Sequence, residues 1–131
     1  MKIKFLFAAL AVAFAGMSFT MANFGPWELL GSRKINYKVD RDEILVTRAE
    51  GVFSAIQIRV KRSPINMHKL AVHYGNGDVE EIDLRQSFRA GSESRVIDLP
   101  GNKRIIRKVV MWYDTKNLAA GKGVVELWGK H

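Results

Sequence analysis

Within the segment from Ser54 to Lys61, apolar and polar residues alternate strictly from Ile56 onwards. The apolar residues are Ile56, Ile58 and Val60, and each is followed by a polar one: Gln57, Arg59 and Lys61. Because successive side chains of a strand point to opposite faces, a period of two predicts a β-strand with one buried and one wet face. No later segment shows the period of an amphipathic helix, so the pattern indicates a fold built from strands.

A hairpin is predicted downstream, where the same alternation appears on both sides of a group of turn residues. One apolar series runs from Leu70 to Tyr74, and another runs from Ile82 to Leu84. Between them, Gly75 to Asp78 supplies residues that tolerate positive φ. Ser94 to Leu99 predicts a further strand, which ends at Pro100-Gly101 in a type II turn.

Two later segments are apolar at nearly every position. Val109 to Tyr113 is rich in β-branched and aromatic residues, so we predict a strand in mid-sheet or beneath a covering loop rather than a buried helix. Val124 to Trp128 predicts the last strand. Short strands are also expected near the start, at Leu29–Leu30, Ile35–Val39 and Ile44–Thr47. About eight strands predict an all-β, antiparallel two-layer β-sandwich, jelly-roll-like or immunoglobulin-like, with a closed barrel as the alternative.

The N-terminus has the parts of a secretory signal peptide in their usual order. Two lysines precede an apolar run of 11 residues from Phe5 to Ala15, and small residues typical of a cleavage position follow at Thr20-Met21-Ala22. A membrane span needs roughly 20 apolar residues, so this run is too short to cross a bilayer. We predict a signal peptide over residues 1–22 and a single domain over 23–131, with no transmembrane span after cleavage. A buried N-terminal helix and an uncleaved anchor are the alternatives.

The chain contains no cysteine. This excludes disulfides, thiolate metal sites, iron–sulfur clusters and a cysteine nucleophile. The 109 residues left after cleavage suffice for a core without cross-links. The simple leader and the lack of an Asn-x-Ser/Thr sequon favour a periplasmic or secreted bacterial protein.

Basic residues are in clear excess. The full chain has a formal charge of +8, and loss of the two leader lysines leaves +6. The candidate ligand-binding residues form two groups, one beside the strand around Ile58 and one after Pro100: Arg59, Lys61, Arg62 and Lys69, then Lys103, Arg104, Arg107 and Lys108. Such patches attract lipopolysaccharide, phospholipid head groups, acidic polysaccharides or DNA. Alternatively, the cations only prevent edge strands from aggregating and keep the domain soluble.

Histidines and carboxylates do not form a convincing reactive set. His68 and His73 are five residues apart, so in one regular strand they face opposite sides and cannot bind a metal ion together. Glu81 and Asp83 share a face about 7 Å apart, which suits a pair of hydrolytic carboxylates, but they follow an exposed turn. Asn76-Gly77-Asp78 fits a hairpin turn better than a calcium loop. We predict no catalytic residue, no metal site and no cofactor.

Tryptophans offer a second kind of binding surface. Trp27, Trp112 and Trp128 could line a groove in which sugars stack. However, Trp112 and Trp128 lie within the apolar strands, so we predict that both belong to the core. Phe24-Gly25-Pro26-Trp27 is the better exposed candidate, unless it only fixes the first strand in place.

Three segments carry a resemblance to a known family. They are Trp27 to Gly31, Asp98 to Arg104 and Val125 to Gly129. With the leader, they make the chain similar to a family of small exported bacterial proteins of unknown function, over most of residues 27–129. The resemblance implies a periplasmic or secreted β-sandwich. It supplies no catalytic residue, because the shared motifs are two strand segments and a turn.

Together these features predict an exported, non-enzymatic β-sandwich that binds an anionic envelope component or a protein partner through a basic face. Anionic polysaccharide, lipopolysaccharide and envelope proteins are the expected partners. Nucleic acid is a disfavoured partner, because an exported protein is separated from the cell's nucleic acid. The sequence also lacks a motif of aromatic and basic residues on which bases stack. The alternatives are a carbohydrate-active hydrolase that uses Glu81 and Asp83, and a structural subunit whose Val109–Tyr113 strand or edge strands pair with another chain.

Overall fold

The computed structural model describes residues 27–35, 40–46, 51–115 and 122–131 and shows an all-β fold. Two four-stranded antiparallel sheets form the predicted sandwich. Its strands are β1 (Trp27–Lys34), β2 (Arg41–Leu45), β3 (Ala55–Lys61), β4 (Ile65–Tyr74), β5 (Val79–Phe88), β6 (Ile97–Asp98), β7 (Ile106–Asp114) and β8 (Val124–Lys130). The predicted signal peptide lies outside the described residues. Within the described ranges, no helix is long and apolar enough to cross a membrane.

The strand order explains the two strongly apolar segments. Sheet 1 has the order β1-β8-β3-β6, and sheet 2 has the order β2-β7-β4-β5. Both β7 and β8 therefore lie between two paired neighbours. This confirms that Val109–Tyr113 is a central strand, and it removes that segment as one that could pair with another chain.

Alternation along β3 and β5 builds the core as predicted. Ile56, Ile58 and Val60 point between the sheets and are almost completely buried. Ile82 and Leu84 of β5 are also buried, whereas the residues beside them are exposed. The period of two in the sequence thus marks the inward faces of both strands. The other face of β3 is not wet throughout, contrary to the prediction, because Gln57 is 7% exposed and its Nε2 donates to the carbonyl of Ser94 at 3.0 Å.

Both predicted turns form. The backbone N–H of Asp78 donates to Oδ1 of Asn76 at 3.0 Å in the turn between β4 and β5. Gly101 has a φ of 88°, and the N–H of Asn102 donates to the carbonyl of Leu99 at 3.2 Å. A positive φ at the third position is the mark of a type II turn.

The predicted strand from Ser94 to Leu99 is shorter in the structure. Only Ile97–Asp98 pairs as a strand, β6, at the edge of sheet 1. At Ser94, the hydroxyl instead accepts a hydrogen bond from the N–H of Ile58 at 2.9 Å. A side chain therefore takes the place of a regular ladder bond.

The predicted short strands near the start become β1 and β2. Leu29–Leu30 lies within the longer β1, and β2 begins before the predicted Ile44–Thr47 segment. Residues 36–39 of the predicted Ile35–Val39 strand lie outside the described residues, as does Thr47.

Sheets 1 and 2 approach each other closely where β1 passes β2. A Cβ atom added to Gly31 would lie 2.5 Å from the carbonyl oxygen of Leu45. Beside this point, Nε of Arg33 forms an ion pair of 2.8 Å with Oδ1 of Asp42. Only glycine leaves room for this backbone contact.

One end of the sandwich carries the loops that form the candidate site. It contains the β4–β5 turn, the described part of the β2–β3 loop and the β6–β7 loop over residues 99–105. We call it the hairpin end. The β3–β4 turn and the β5–β6 loop lie at the opposite end.

Candidate functional site

A cleft of about 500 Å³ opens at the hairpin end. Three of the eight basic residues predicted to bind a ligand line it, namely Lys103, Arg104 and Arg107. Its wall also includes Val52, Tyr74, Asn76 and Ile105. We call this site the basic cleft. It combines cations, hydrogen-bonding groups and exposed aliphatic side chains.

Backbone pairing fixes the loop that supplies these cations. After the turn at Gly101, the backbone of Arg104 pairs with that of Phe53 through two hydrogen bonds of 2.9 Å. The N–H of Gly75 donates to the carbonyl of Ile105 at 2.8 Å. Because Phe53 is buried, the loop is attached to the core as well as to the hairpin turn.

Arg104 is held in one position by three contacts. Its guanidinium carbon lies 3.7 Å from the ring centroid of Tyr74. Nη1 donates to the carbonyl of Pro100 at 3.1 Å, and Nη2 lies 3.6 Å from Oδ2 of Asp78. An arginine ordered in this way loses little side-chain entropy when it binds an anion.

Tyr74 supports Arg104 as a neutral phenol. Burial raises the pKa of Tyr74 well above its ordinary value, and the nearby Glu80 carboxylate raises it further. The hydroxyl donates to Oε1 of Glu80 at 2.6 Å. Tyr74 therefore stays protonated at neutral pH and presents its ring to the cation.

Lys103 and Arg107 are the cations of the cleft that remain available. Both are exposed, and neither side chain forms a hydrogen bond or an ion pair with any described residue. The carboxylate of Asp78 is paired with Arg104, and that of Glu80 accepts the hydrogen bond from Tyr74. An anion that enters the cleft thus meets two cations that pair with no described carboxylate, beside the fixed Arg104.

The other predicted basic residues lie elsewhere. Arg59 is on the outer face of sheet 1, with its guanidinium carbon 4.2 Å from the ring centroid of Trp128. Lys61 and Arg62 are exposed at the end opposite the cleft. Lys108 lies on the outer face of sheet 2, 3.5 Å from Oε1 of Glu43. The first predicted basic group is therefore divided between different surfaces.

The prediction that Trp112 and Trp128 belong to the core is wrong. Both are half-buried on the outer faces of their sheets. Nζ of Lys69 lies 4.5 Å from the ring centroid of Trp112, and the Arg41 guanidinium carbon lies 5.7 Å from it. The long stems of neighbouring basic residues cover these rings in place of another layer of the protein.

The three tryptophans do not line a single groove. Trp27 lies on sheet 1, in register with Lys130 of β8, whereas Trp112 belongs to sheet 2. Phe24, Gly25 and Pro26 of the predicted exposed segment lie outside the described residues. The cations over the rings also occupy positions that a stacked sugar would need.

The two strand histidines do not face opposite sides, contrary to the prediction. The pairing of β4 shifts register at His68, and this irregularity breaks the alternation. Nε2 of His68 lies 2.7 Å from Oδ2 of Asp114, whereas His73 is in register with Lys108 near the other end of the strand. They therefore lie far apart on the same outer face. Among the described residues, no three His, Asp or Glu side chains are placed to hold a metal ion.

Glu81 and Asp83 share the outer face of sheet 2, as their spacing predicts. Both are exposed, and each lies beside a cation, with Glu81 3.8 Å from Nζ of Lys69 and Asp83 3.0 Å from Nε of Arg85. A hydrolytic pair needs one carboxylic acid in a desolvated environment. The geometry of these two residues does not favour that chemistry.

Sequence reasoning missed the part of the cleft that is not basic. Tyr74 was expected only as a strand residue, and Val52 and Ile105 were not singled out. The segment from Arg104 to Arg107 contains a usable signal, because two consecutive isoleucines at a strand start cannot both face the core. Ile106 is buried and Ile105 is exposed.

The family model described as "Domain of unknown function (DUF2541)" matches residues 5–129 of the chain. The chain belongs to the DUF2541 family. This confirms the resemblance to a family of unknown function that the sequence motifs carry.

A comparison of this DUF2541 domain with curated proteins gives no match. Among solved structures, Pseudomonas aeruginosa AlgX is similar, with a TM-score of 0.55 and 17% sequence identity. The similarity covers 79% of this chain but only 26% of the AlgX chain. The DUF2541 domain thus shares its fold with about a quarter of AlgX.

Proposed function

We propose that this DUF2541 domain is an exported, non-enzymatic β-sandwich that binds an anionic component of the cell envelope in its basic cleft. The observation that carries the proposal is the position of Lys103 and Arg107. Both line the cleft and form no ion pair with any described residue, and they lie beside Arg104, which its contacts already fix. Acidic polysaccharides and lipopolysaccharide present the negative charges that such a site attracts.

The geometry favours binding over a purely solubilising role for these residues. Charges that only maintain solubility are spread over the surface with both signs interspersed. Here three cations line one concave site, and the nearby carboxylate of Asp78 is already paired with one of them, Arg104. Concave walls of low dielectric strengthen the field that an approaching anion meets.

A pair of matched double variants tests the cleft. Lys103→Gln/Arg107→Gln removes two positive charges from the cleft, and Lys61→Gln/Arg62→Gln removes the same two charges from the opposite end. Each basic residue near an anionic surface contributes about 1 kcal/mol, so the first variant should bind roughly 30-fold more weakly. The control variant should bind within a few-fold of the parent protein.

Binding is measured by fluorescence anisotropy with labelled polygalacturonate and labelled lipopolysaccharide, over a series of salt concentrations. Affinity should fall as salt rises, because exposed charges are screened. Absence of binding to both ligands at low ionic strength would contradict the proposal. Equal loss in both double variants would assign the binding to overall charge and not to the cleft.

Export is tested by a separate measurement. The chain is expressed with its leader in a bacterial host, fractionated, and analysed for its intact mass. We expect the periplasmic or secreted fraction to contain a chain that starts at Asn23. An intact leader on protein confined to the cytosol would contradict this part of the proposal.

A further inference from the structure

Large aliphatic side chains are exposed mainly at the hairpin end. Five large apolar side chains are exposed among the described residues, and four of them lie there: Leu45 (56%), Val52 (41%), Val79 (53%) and Ile105 (58%). Exposed apolar residues that cluster on one surface mark an interaction site more often than single scattered ones do.

The four residues form a rim with cations between them. Four residues form one row across sheet 2. Leu45 of β2 pairs with Lys108 of β7, Lys108 pairs with His73 of β4, and His73 pairs with Val79 of β5. Leu45 and Val79 therefore stand at the two edges of sheet 2, about 14 Å apart at the usual strand spacing. The two aliphatic residues of the basic cleft lie in the loops next to this row.

Two cations of this end have no carboxylate partner among the described residues. Glu43 is paired with Lys108 and Asp78 with Arg104, whereas Glu80 accepts a hydrogen bond from the neutral phenol of Tyr74 and keeps its negative charge. Lys103 and Arg107 form no ion pair with any described residue. The hairpin end thus presents aliphatic groups and two such cations on the same surface.

We infer that the hairpin end docks on the surface of an anionic lipid bilayer. Val52 and Ile105 enter the head-group layer, while Lys103 and Arg107 lie against lipid phosphates. The inference rests on the proposed function, because the same cleft provides the cations. Apolar area and attraction to anionic lipid add together in this kind of interfacial binding.

Other ligands of similar charge fit the rim less well. A polysaccharide gains little from exposed valine, leucine and isoleucine, and it prefers aromatic faces on which to stack. Protein interfaces are anchored mostly by Trp, Tyr and Arg. Here Trp112 and Trp128 lie under cations on the outer faces of their sheets, Trp27 stands at the hairpin end but does not line the basic cleft, and Tyr74 is buried beneath Arg104.

The test compares two changes of exposed aliphatic side chains. Val52→Ser/Ile105→Ser removes the two aliphatic groups of the cleft, and Val96→Ser removes one aliphatic side chain that is 47% exposed next to β6, at the edge of sheet 1 and outside the cleft. Binding is measured by co-sedimentation with vesicles of mixed phosphatidylcholine and phosphatidylglycerol. The double variant should lose about tenfold or more in vesicle affinity, and Val96→Ser should stay within about twofold.

A second ligand separates failure of the inference from failure of the proposed function. Polygalacturonate has no apolar layer, so Val52→Ser/Ile105→Ser should lose much less affinity for it than for the vesicles. If the parent protein binds polygalacturonate but not the vesicles, the bilayer inference is overturned and the proposed function is not. The same conclusion follows if the serine variant binds vesicles as the parent does. If the parent protein binds neither the vesicles nor polygalacturonate nor lipopolysaccharide, both proposals are overturned.

Discussion

Arg104→Met removes the charge that organises the basic cleft and keeps an unbranched apolar stem over the ring of Tyr74. The substitution ends the stacking of the guanidinium at 3.7 Å, its hydrogen bond to the carbonyl of Pro100 and its ion pair with Asp78. The β6–β7 loop keeps its backbone pairing with Phe53. The expected result is a stability loss with the fold retained.

The size of the loss follows from the three contacts of Arg104. Its side chain is 19% exposed, so the stacking on Tyr74 contributes about 1–2 kcal/mol. A charged hydrogen bond contributes roughly 1.5 kcal/mol, and the ion pair with the exposed Asp78 contributes roughly 0.5 kcal/mol. Since the freed loop groups return to water, we expect a net loss of about 2 kcal/mol. For a domain of this size this lowers the melting temperature by about 8 °C.

Thermal denaturation followed by circular dichroism measures this effect. Lys103→Met is the matched control, because Lys103 is adjacent, exposed and without a partner among the described residues. We expect the control to change the free energy of unfolding by less than about 0.5 kcal/mol. If Arg104→Met melts at the parent temperature, or if both variants lose equal stability, the account of how this loop is held is wrong.

Three further predictions concern the sandwich. Gly31→Ala should cost about 1–3 kcal/mol in urea denaturation, because the new Cβ would lie 2.5 Å from the carbonyl oxygen of Leu45. Ser94→Ala should cost about 1–3 kcal/mol in the same assay, because the buried N–H of Ile58 loses an acceptor at 2.9 Å. Burial raises the pKa of Glu43, but a neighbouring lysine and arginine outweigh burial and hold the pKa below its ordinary value of 4.5. Glu43 therefore stabilises the fold above pH 4.5 and loses this effect as the pH falls, so Glu43→Gln should reduce the acid dependence of stability.

Each of these predictions has a control or a contradicting result. Ser32→Ala, at an exposed neighbouring position, should leave stability unchanged where Gly31→Ala lowers it. Parent-like stability of Ser94→Ala would show that the N–H of Ile58 has another acceptor. An acid titration of Glu43→Gln that matches the parent curve would remove Glu43 from the acid response.

Strands with polar residues at their outward-facing positions were predictable from the sequence. In β3 and β5 the period of two identifies the buried face directly, and the turn at Asn76 and Asp78 is readable because those residues favour tight turns. The type II turn follows from Pro100-Gly101 in the same way. Local chemistry decides these features, so no information about distant residues is needed.

Features that depend on neighbouring strands were not predictable. Trp112 and Trp128 look like core residues because their strands are apolar on both sides, but basic side chains from adjacent strands cover them. The register shift at His68 leaves no mark in the local pattern. The register of the strand pairs and the contacts between adjacent strands reveal both facts.

The candidate site was predicted only in part, for a related reason. Lys103, Arg104 and Arg107 are close in the chain, so one turn and one strand start bring them together. Arg59 and Lys69 are also near each other in sequence, but β3 and β4 belong to different sheets. Proximity along the chain therefore predicts a shared surface only when the connection stays on one side of the molecule.

The strand order also has a consequence for how the molecule reaches its native state. Of the eight described strands, only β4 and β5 are both consecutive in the chain and adjacent in a sheet. All other pairings join distant segments, and such topologies fold in milliseconds to seconds, because loop-closure entropy must be overcome before the contacts form. The β4–β5 hairpin can thus form early, whereas every other strand pairing must wait until distant segments of the chain meet.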